Sequence, residues 1–290
     1  MHTWGLRQPA GSNGGTMISS DFFSSARPIV MGIINMTPDS FSDGGMFDSA
    51  DDAVACARKM VEDGADIIDI GGESTRPDAA PVGEEEELAR VIPIVETLAR
   101  TVTVPISIDT TKAHVAREAL SAGAVIVNDI SALRFDEAMT ELIADNGAYL
   151  VLMHMQGIPG TMQKNPIYRN VVGEVYSFLD ERIRYAELHG IAKDKIIVDP
   201  GIGFGKTPLH NLSILKHIAR FHNLECPVMV GASRKSLIGA VTGNPVDNRL
   251  FGTASIVAHC VIERVQVHRV HDVGEMRQVC DMAAAIRDSA

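Results

Sequence analysis

Ile67-Ile68-Asp69-Ile70-Gly71-Gly72-Glu73-Ser74-Thr75-Arg76-Pro77-Asp78 carries the pattern that decides the fold. A short apolar run holds one acid, stops at two glycines and opens into a polar connection. The same figure recurs in both directions along the chain. Apolar runs stand at residues 29–34, 67–70, 104–108, 125–127, 149–153, 196–198, 228–230 and 265–267. The polar residues that close or follow them are Asn35, Asp69, Asp109, Asn128 with Asp129, His154, Asp199, Ser233 with Arg234 and Lys235, and Arg269 with His271. Buried parallel strands read as continuous apolar runs because helices cover both of their faces. Strand–helix alternation with short connections predicts a parallel sheet with right-handed crossovers. Eight such units, with polar residues at nearly every strand end, predict an α/β fold closed as a single-domain (β/α)8 TIM barrel whose C-terminal strand ends share one mouth. A doubly wound open sheet is the rival arrangement.

The stretches between the runs have helix signals. Asp48 is expected to cap a helix with Asp51 and Asp52 in its first turn, an apolar stripe through Ala53, Val54, Ala57, Met60 and Val61, and an end at Gly64. A second helix is expected from Glu84, with Leu88, Val91, Ile92, Val95 and Leu98 as its stripe. Further helices are expected at 113–122, 136–145, 171–189, 209–221, a broken 235–262 and 273–286. Residues 1–26 are Gly/Ser-rich without periodicity and read as a flexible N-terminal extension; 27–290 form the barrel domain.

A formal net charge of -11 argues against general binding to nucleic acid or anionic membranes. An anionic substrate would need a positive field built locally. No apolar run approaches a membrane span. The cysteines Cys56, Cys226, Cys260 and Cys280 form no CxxC and no metal-like spacing with histidine, so they read as free thiols of a cytoplasmic protein. The connections after the first two runs, 35–45 and 71–78, are long, polar and glycine-rich, as lids over a site are.

Asp109, Asn128, Asp199 and Lys235 come from different strand ends and can converge. Two acids, an amide and an amine suit a heterocycle with a donor–acceptor edge, because a carboxylate accepts two parallel N–H donors. Taken singly, each Asp is equally a helix cap or turn acceptor, and Asp199 before Pro200-Gly201 most of all. Arg76, Arg234, Lys235, Arg269 and His271 are the candidate positive field. Arg269 and His271 share a strand face. Asn35 offers a hard oxygen suited to Mg²⁺. The segment Gly201-Ile202-Gly203-Phe204-Gly205-Lys206-Thr207 imitates a phosphate loop but fails both glycine patterns, at Pro200 and at Lys206. It reads as a tight turn offering Phe204 as a stacking face, and His154 reads as packing.

From about residue 28 to the C-terminus, these motifs resemble the dihydropteroate synthase family of pterin-binding barrels. The resemblance rests on Asn35-x-Thr37-Pro38-Asp39-Ser40-Phe41-Ser42-Asp43-Gly44-Gly45, Gly71-Gly72-Glu73-Ser74-Thr75-Arg76-Pro77, Asp109-Thr110, Asn128-Asp129, Asp199-Pro200-Gly201-x-Gly203-Phe204, Ser233-Arg234-Lys235-Ser236 and Arg269-Val270-His271-Asp272-Val273. It implies a transferase of folate biosynthesis that condenses 6-hydroxymethyl-7,8-dihydropterin diphosphate with 4-aminobenzoate, assisted by Mg²⁺. By resemblance, Asp109, Asn128, Asp199 and Lys235 hold the pterin, with Ile130, Met153 and Phe204 around its ring. Asn35, Thr75, Arg269 and His271 bind the diphosphate and its metal, Asn35 being the metal ligand. Phe41, Thr75, Arg76, Pro77, Lys235 and Ser236 form the aminobenzoate pocket. The implied catalytic set is Asp39, Arg76, Asp109, Lys235, Arg269 and His271. Sulfonamide inhibitors and a homodimer are implied as partners. Met36, Asp78 and Leu237 depart from common family residues without touching an expected ligand. A pterin-barrel methyltransferase-type module and a non-catalytic synthase-like protein are the alternatives.

Overall fold

The computed structural model describes residues 18–19, 21–36, 49–75 and 81–289. Most of the two long connections, and with them Asp39, Phe41, Arg76 and Pro77, lies outside the described residues. Eight parallel strands form one sheet: β1 (Ile29–Asn35), β2 (Ile67–Gly71), β3 (Ile106–Asp109), β4 (Ile126–Asp129), β5 (Tyr149–Met153), β6 (Ile196–Asp199), β7 (Met229–Val230) and β8 (Val267–Val270). Their order is β6-β5-β4-β3-β2-β1-β8-β7. No reversal of order occurs, which removes the doubly wound rival. The two ends meet at an isolated bridge between Val198 and Val228, where Val198 N–H donates to the Pro227 carbonyl at 2.9 Å. The sheet is thus a barrel with a narrow seam between β6 and β7.

Alternation along the strands builds two cores. Ile29, Met31, Ile67, Ile126, Tyr149, Val151, Ile197, Met229 and Val267 fill the lumen. Their strand neighbours, such as Val30, Ile68, Ile108, Val127 and Leu150, face outward and pack under the helices. The helices are α1 (Ala50–Glu62), α2 (Glu84–Thr101), α3 (Ala113–Ala122), α4 (Ala138–Asn146), α5 (Val171–Leu188), α6 (Pro208–Lys216), α7 (Ser236–Thr242), α8 (Leu250–Ile262) and α9 (Val273–Arg287). No described helix is long and apolar enough to cross a membrane.

Several expected boundaries shift for local reasons. Ser49, not Asp48, caps α1: its hydroxyl accepts Asp52 N–H at 3.2 Å. The run at 265–267 starts too early for β8, because Val265 N–H returns to the Cys260 carbonyl and so closes α8. The helix expected at 209–221 is a shorter α6 followed by a 3₁₀ stretch, Ile218–Leu224.

Residues 21–26 fall in the expected extension, yet Phe23 is buried and its ring lies 5.1 Å from that of Tyr149 at the N-terminal mouth. Just ahead of β2, at the same end of the barrel, Asp66 accepts from Arg27 at 2.6 Å, from Arg277 at 3.1 Å and from Val30 N–H at 3.0 Å.

Candidate active site

The C-terminal mouth is charged where the lower lumen is apolar. Register explains the convergence. Asn35 pairs with Gly71, Gly71 with Asp109 and Asp109 with Asn128, so one rung crosses β1 to β4. Gly71 contributes no side chain to that rung. A Cβ there would meet Asp109 Cβ at 3.4 Å and Asn35 Oδ1 at 3.6 Å, so the glycine lets these two side chains face one another.

One layer lower on β2 sits Asp69, fully buried. Arg269 reaches across from β8: its Nε donates to Asp69 at 2.6 Å and its Nη2 to Asp109 at 2.7 Å. Asn128 Nδ2 donates to Asp69 at 3.1 Å. Asp69 Oδ1 has no partner among the described residues. In the sequence Asp69 stands among the polar residues at the strand ends, without a role of its own. The signal that could have exposed it is energetic: a carboxylate on a lumen position must be paired or neutral.

The remaining expected residues arrive from the other side of the mouth. Asp199 ends β6; its Oδ1 accepts Gly201 N–H at 2.7 Å, while Oδ2 makes no hydrogen bond to a described residue. The turn role and a ligand role therefore fall on different oxygens. Lys235 precedes α7, and its Nζ lies 4.1 Å from the Phe204 ring centroid and donates to the Ile202 carbonyl. Ile130, Met153, Met155 and Met162 form an apolar cluster with Phe204 packed against it. His271 Nδ1 is 3.0 Å from Ser233 Oγ. Ser236 opens α7 and is exposed, and Thr75 is half-buried at the end of its described segment. Arg234, a candidate for the positive field, pairs with Asp272, its Nε 3.1 Å from the carboxylate.

Charge at this mouth is perturbed in both directions. Burial pushes Asp109 up to about 7; Arg269 opposes this, and Asp69 and Glu87 reinforce it. Burial pushes Lys235 down to about 8, with Asp199 opposing. Asp199 is raised by burial against the Gly201 N–H and the Lys235 charge. Burial alone would lower Arg269, but Asp69 and Asp109 hold it above its ordinary value. Desolvated groups of opposite sign with shifted pKa values are what functional sites concentrate.

A second missed cluster pins the stubs of the connection after β2. Lys112 Nζ pairs with Glu73 and with fully buried Glu87. Glu73 accepts Val82 N–H at 3.3 Å, and Arg90 donates to the Gly72 carbonyl at 2.7 Å. A third, Lys206 with His154, lies beneath the turn that carries Phe204.

Residues 31–271 match the family described as pterin binding enzyme. Dihydropteroate synthase from Escherichia coli K12 is 49% identical over 250 residues, covering 86% of this chain and 88% of that protein. The Synechocystis dihydropteroate synthase is 45% identical over 261 residues, 90% of either chain. Among solved structures, Yersinia pestis dihydropteroate synthase in complex with a sulfonamide drug superposes with a TM-score of 0.88 at 44% identity, over 91% of this chain and 96% of that one. The Xanthomonas albilineans enzyme in complex with 7,8-dihydropteroate gives a TM-score of 0.83 at 40% identity, over 95% and 98%.

Proposed function

The chain belongs to the dihydropteroate synthase family of pterin-binding enzymes, and on that footing we propose that it condenses 6-hydroxymethyl-7,8-dihydropterin diphosphate with 4-aminobenzoate in folate biosynthesis. What supports this reading is the convergence of Asp109, Asn128, Asp199, Lys235 and Arg269 on one mouth of the barrel. No observation there favours the methyltransferase-type or non-catalytic alternatives.

The arylamine is nucleophilic without deprotonation. Its nitrogen bonds to the pterin methylene carbon, the carbon–oxygen bond breaks, and diphosphate leaves with the electron pair; the nitrogen then loses a proton. No strong general base is needed, so catalysis rests on positioning and on charge. In this reading Asp199 Oδ2 and Asn128 take the pterin's N–H edge, and Lys235 donates to the opposite edge. Phe204, Met153 and Ile130 sandwich the ring. Asp109 stands where positive charge builds on the methylene. Arg269 keeps N–H donors beyond the two engaged with Asp69 and Asp109, since a guanidinium has five, and these with His271 meet the diphosphate. Thr75 and Ser236 border the aminobenzoate; Asp39, Phe41, Arg76 and Pro77 are proposed there on the resemblance alone.

The donor set speaks to the metal. No group of three or more His, Cys, Asp or Glu among the described residues could hold an ion. Asn35, whose Oδ1 lies near Asp109 across Gly71, offers one neutral oxygen. That fits Mg²⁺ carried in on the diphosphate and held mostly by phosphate and water. Bound there, the ion would neutralise charge on the leaving group.

Cytoplasmic location and a homodimer complete the proposal. The four cysteines are free. Val241, Phe251, Met282 and Ile286 on α7–α9 are exposed apolar side chains of the kind a second copy covers, and sedimentation tests that. The activity is tested by diphosphate release with and without 4-aminobenzoate. Release should require the amine, and sulfamethoxazole should compete with it. No release, or release indifferent to aminobenzoate, overturns the proposal.

A further inference from the structure

Lys206 is only 3% exposed on the turn between β6 and α6, and the chemistry above does not use it. Its Nζ lies 2.8 Å from the Gly201 carbonyl oxygen, 3.0 Å from that of Phe204, 3.1 Å from that of His154 and 2.9 Å from His154 Nδ1. Burial pushes the His154 ring down to about 2, so the ring is neutral and its Nδ1 is free to accept. Burial also works against the Lys206 charge. Four acceptors around one nitrogen work for it, because an ammonium carries three donors and no acceptor.

These acceptors come from two elements. His154 directly follows β5, whereas Gly201 and Phe204 lie in the turn after β6. The two backbones touch: a Cβ on Gly201, where φ is 66°, would lie 2.0 Å from the His154 carbonyl oxygen. Carbonyl oxygens of both elements thus point at a common spot, where they repel unless a donor sits between them. The other side of the same turn faces the mouth. There the Phe204 ring lies under Lys235, and the Ile202 carbonyl accepts from it.

We propose that Lys206 is a positioning residue for the pterin pocket: by gathering the carbonyls of His154, Gly201 and Phe204 it fixes the turn that presents the Phe204 ring and the Ile202 carbonyl to Lys235. The inference rests on the reading of this mouth as a pterin site.

The test uses 6-hydroxymethylpterin, which lacks the diphosphate, in calorimetric titrations of the full chain and of Lys206→Met. The variant should bind at least tenfold more weakly. Its KM for the pterin diphosphate should rise in step, while the KM for aminobenzoate stays within twofold. In a Phe204→Leu background the same change should weaken binding by less than threefold, because the residue acts through that ring. Unchanged affinity in a folded Lys206→Met protein overturns the proposal. So does a parallel rise of both KM values, or an equal loss in both backgrounds, since either marks a general structural role. Should Lys206→Met fail to fold, Lys206→Gln keeps a polar group there but falls short of the carbonyls; it should lose at least threefold, and no loss overturns the proposal. If the unaltered chain does not bind 6-hydroxymethylpterin, the pterin reading itself falls.

Discussion

The two ends of β2 carry aspartate–arginine clusters whose acids are satisfied to different degrees. At the N-terminal mouth one carboxylate, Asp66, serves two arginines, Arg27 and Arg277, and a backbone N–H. At the C-terminal mouth two carboxylates, Asp69 and Asp109, share one guanidinium, that of Arg269. The lower cluster has its acid satisfied by three donors. The upper cluster has an oxygen of Asp69 without a partner and an acid pushed towards neutrality. An aspartate with both oxygens engaged serves the fold, even though Arg277 Nε beside it has no hydrogen-bond partner among the described residues. A buried aspartate with one oxygen unpartnered keeps room for a further donor.

This contrast breaks if the two ends respond alike to mutation. Asp66→Ala should be the largest effect, removing about 3–5 kcal/mol of stability by breaking the buried Asp66–Arg277 pair and leaving Arg277 only the more exposed Asp281. Urea unfolding measures that, and the KM values of the folded fraction should not move. At the other end, Asp199→Asn should reduce pterin affinity by about 2–4 kcal/mol, because it sets a donor against donors. Calorimetry checks it, and the unfolding midpoint should shift far less than for Asp66→Ala. Asp69→Asn removes one charge-assisted bond from Arg269 and should lower kcat/KM by about 1.5–3 kcal/mol equivalent. If Asp69→Asn instead destabilises the protein as much as Asp66→Ala and leaves kcat/KM untouched, the upper cluster is structural too.

Proton linkage sharpens the contrast further. Asp109 is raised from 3.8 to about 7, so the native state holds its proton longer than the unfolded chain does. Its contribution to stability is present below pH 3.8 and is lost as pH rises through about 7. Lys235 is lowered from 10.5 to about 8, so its contribution is present above 10.5 and is lost as pH falls through about 8. If both groups must be ionised, kcat/KM should rise near pH 7 and fall near pH 8, and Asp109→Asn should abolish the acidic limb. Asp66→Ala should leave the profile in place. Smallest of all, Ser49→Ala should cost about 1 kcal/mol through the lost α1 cap, with no change in any KM; thermal unfolding measures it.

The barrel was legible because eight continuous apolar runs end in polar residues and are separated by helix-like stretches. Ile29, Met31 and Ile67 against Val30 and Ile68 sort lumen from helix-facing positions by parity alone. The same parity carried Asp109, Asn128 and Arg269 to the mouth. Asp69 escaped because a strand-interior acid announces a partner without naming it, and Arg269 is 200 residues away. Lys206 escaped because it was read against a glycine pattern, as the residue that spoils a motif. Its four acceptors are backbone and ring atoms that only folding gathers. Val265 misled at β8 because one backbone hydrogen bond gives it to the preceding helix.

The seam between β6 and β7 has a mechanical consequence. Elsewhere neighbouring strands are laced by ladders of two to five residue pairs, but here the described residues offer only the Val198–Val228 bridge. Asp199 stands on one lip of the seam and Lys235 on the other. A ring gripped by both is a rivet across the weakest join of the cylinder. Occupancy should then tighten the hoop as a whole, slowing amide exchange in β6 and β7 well below the reach of any ligand atom.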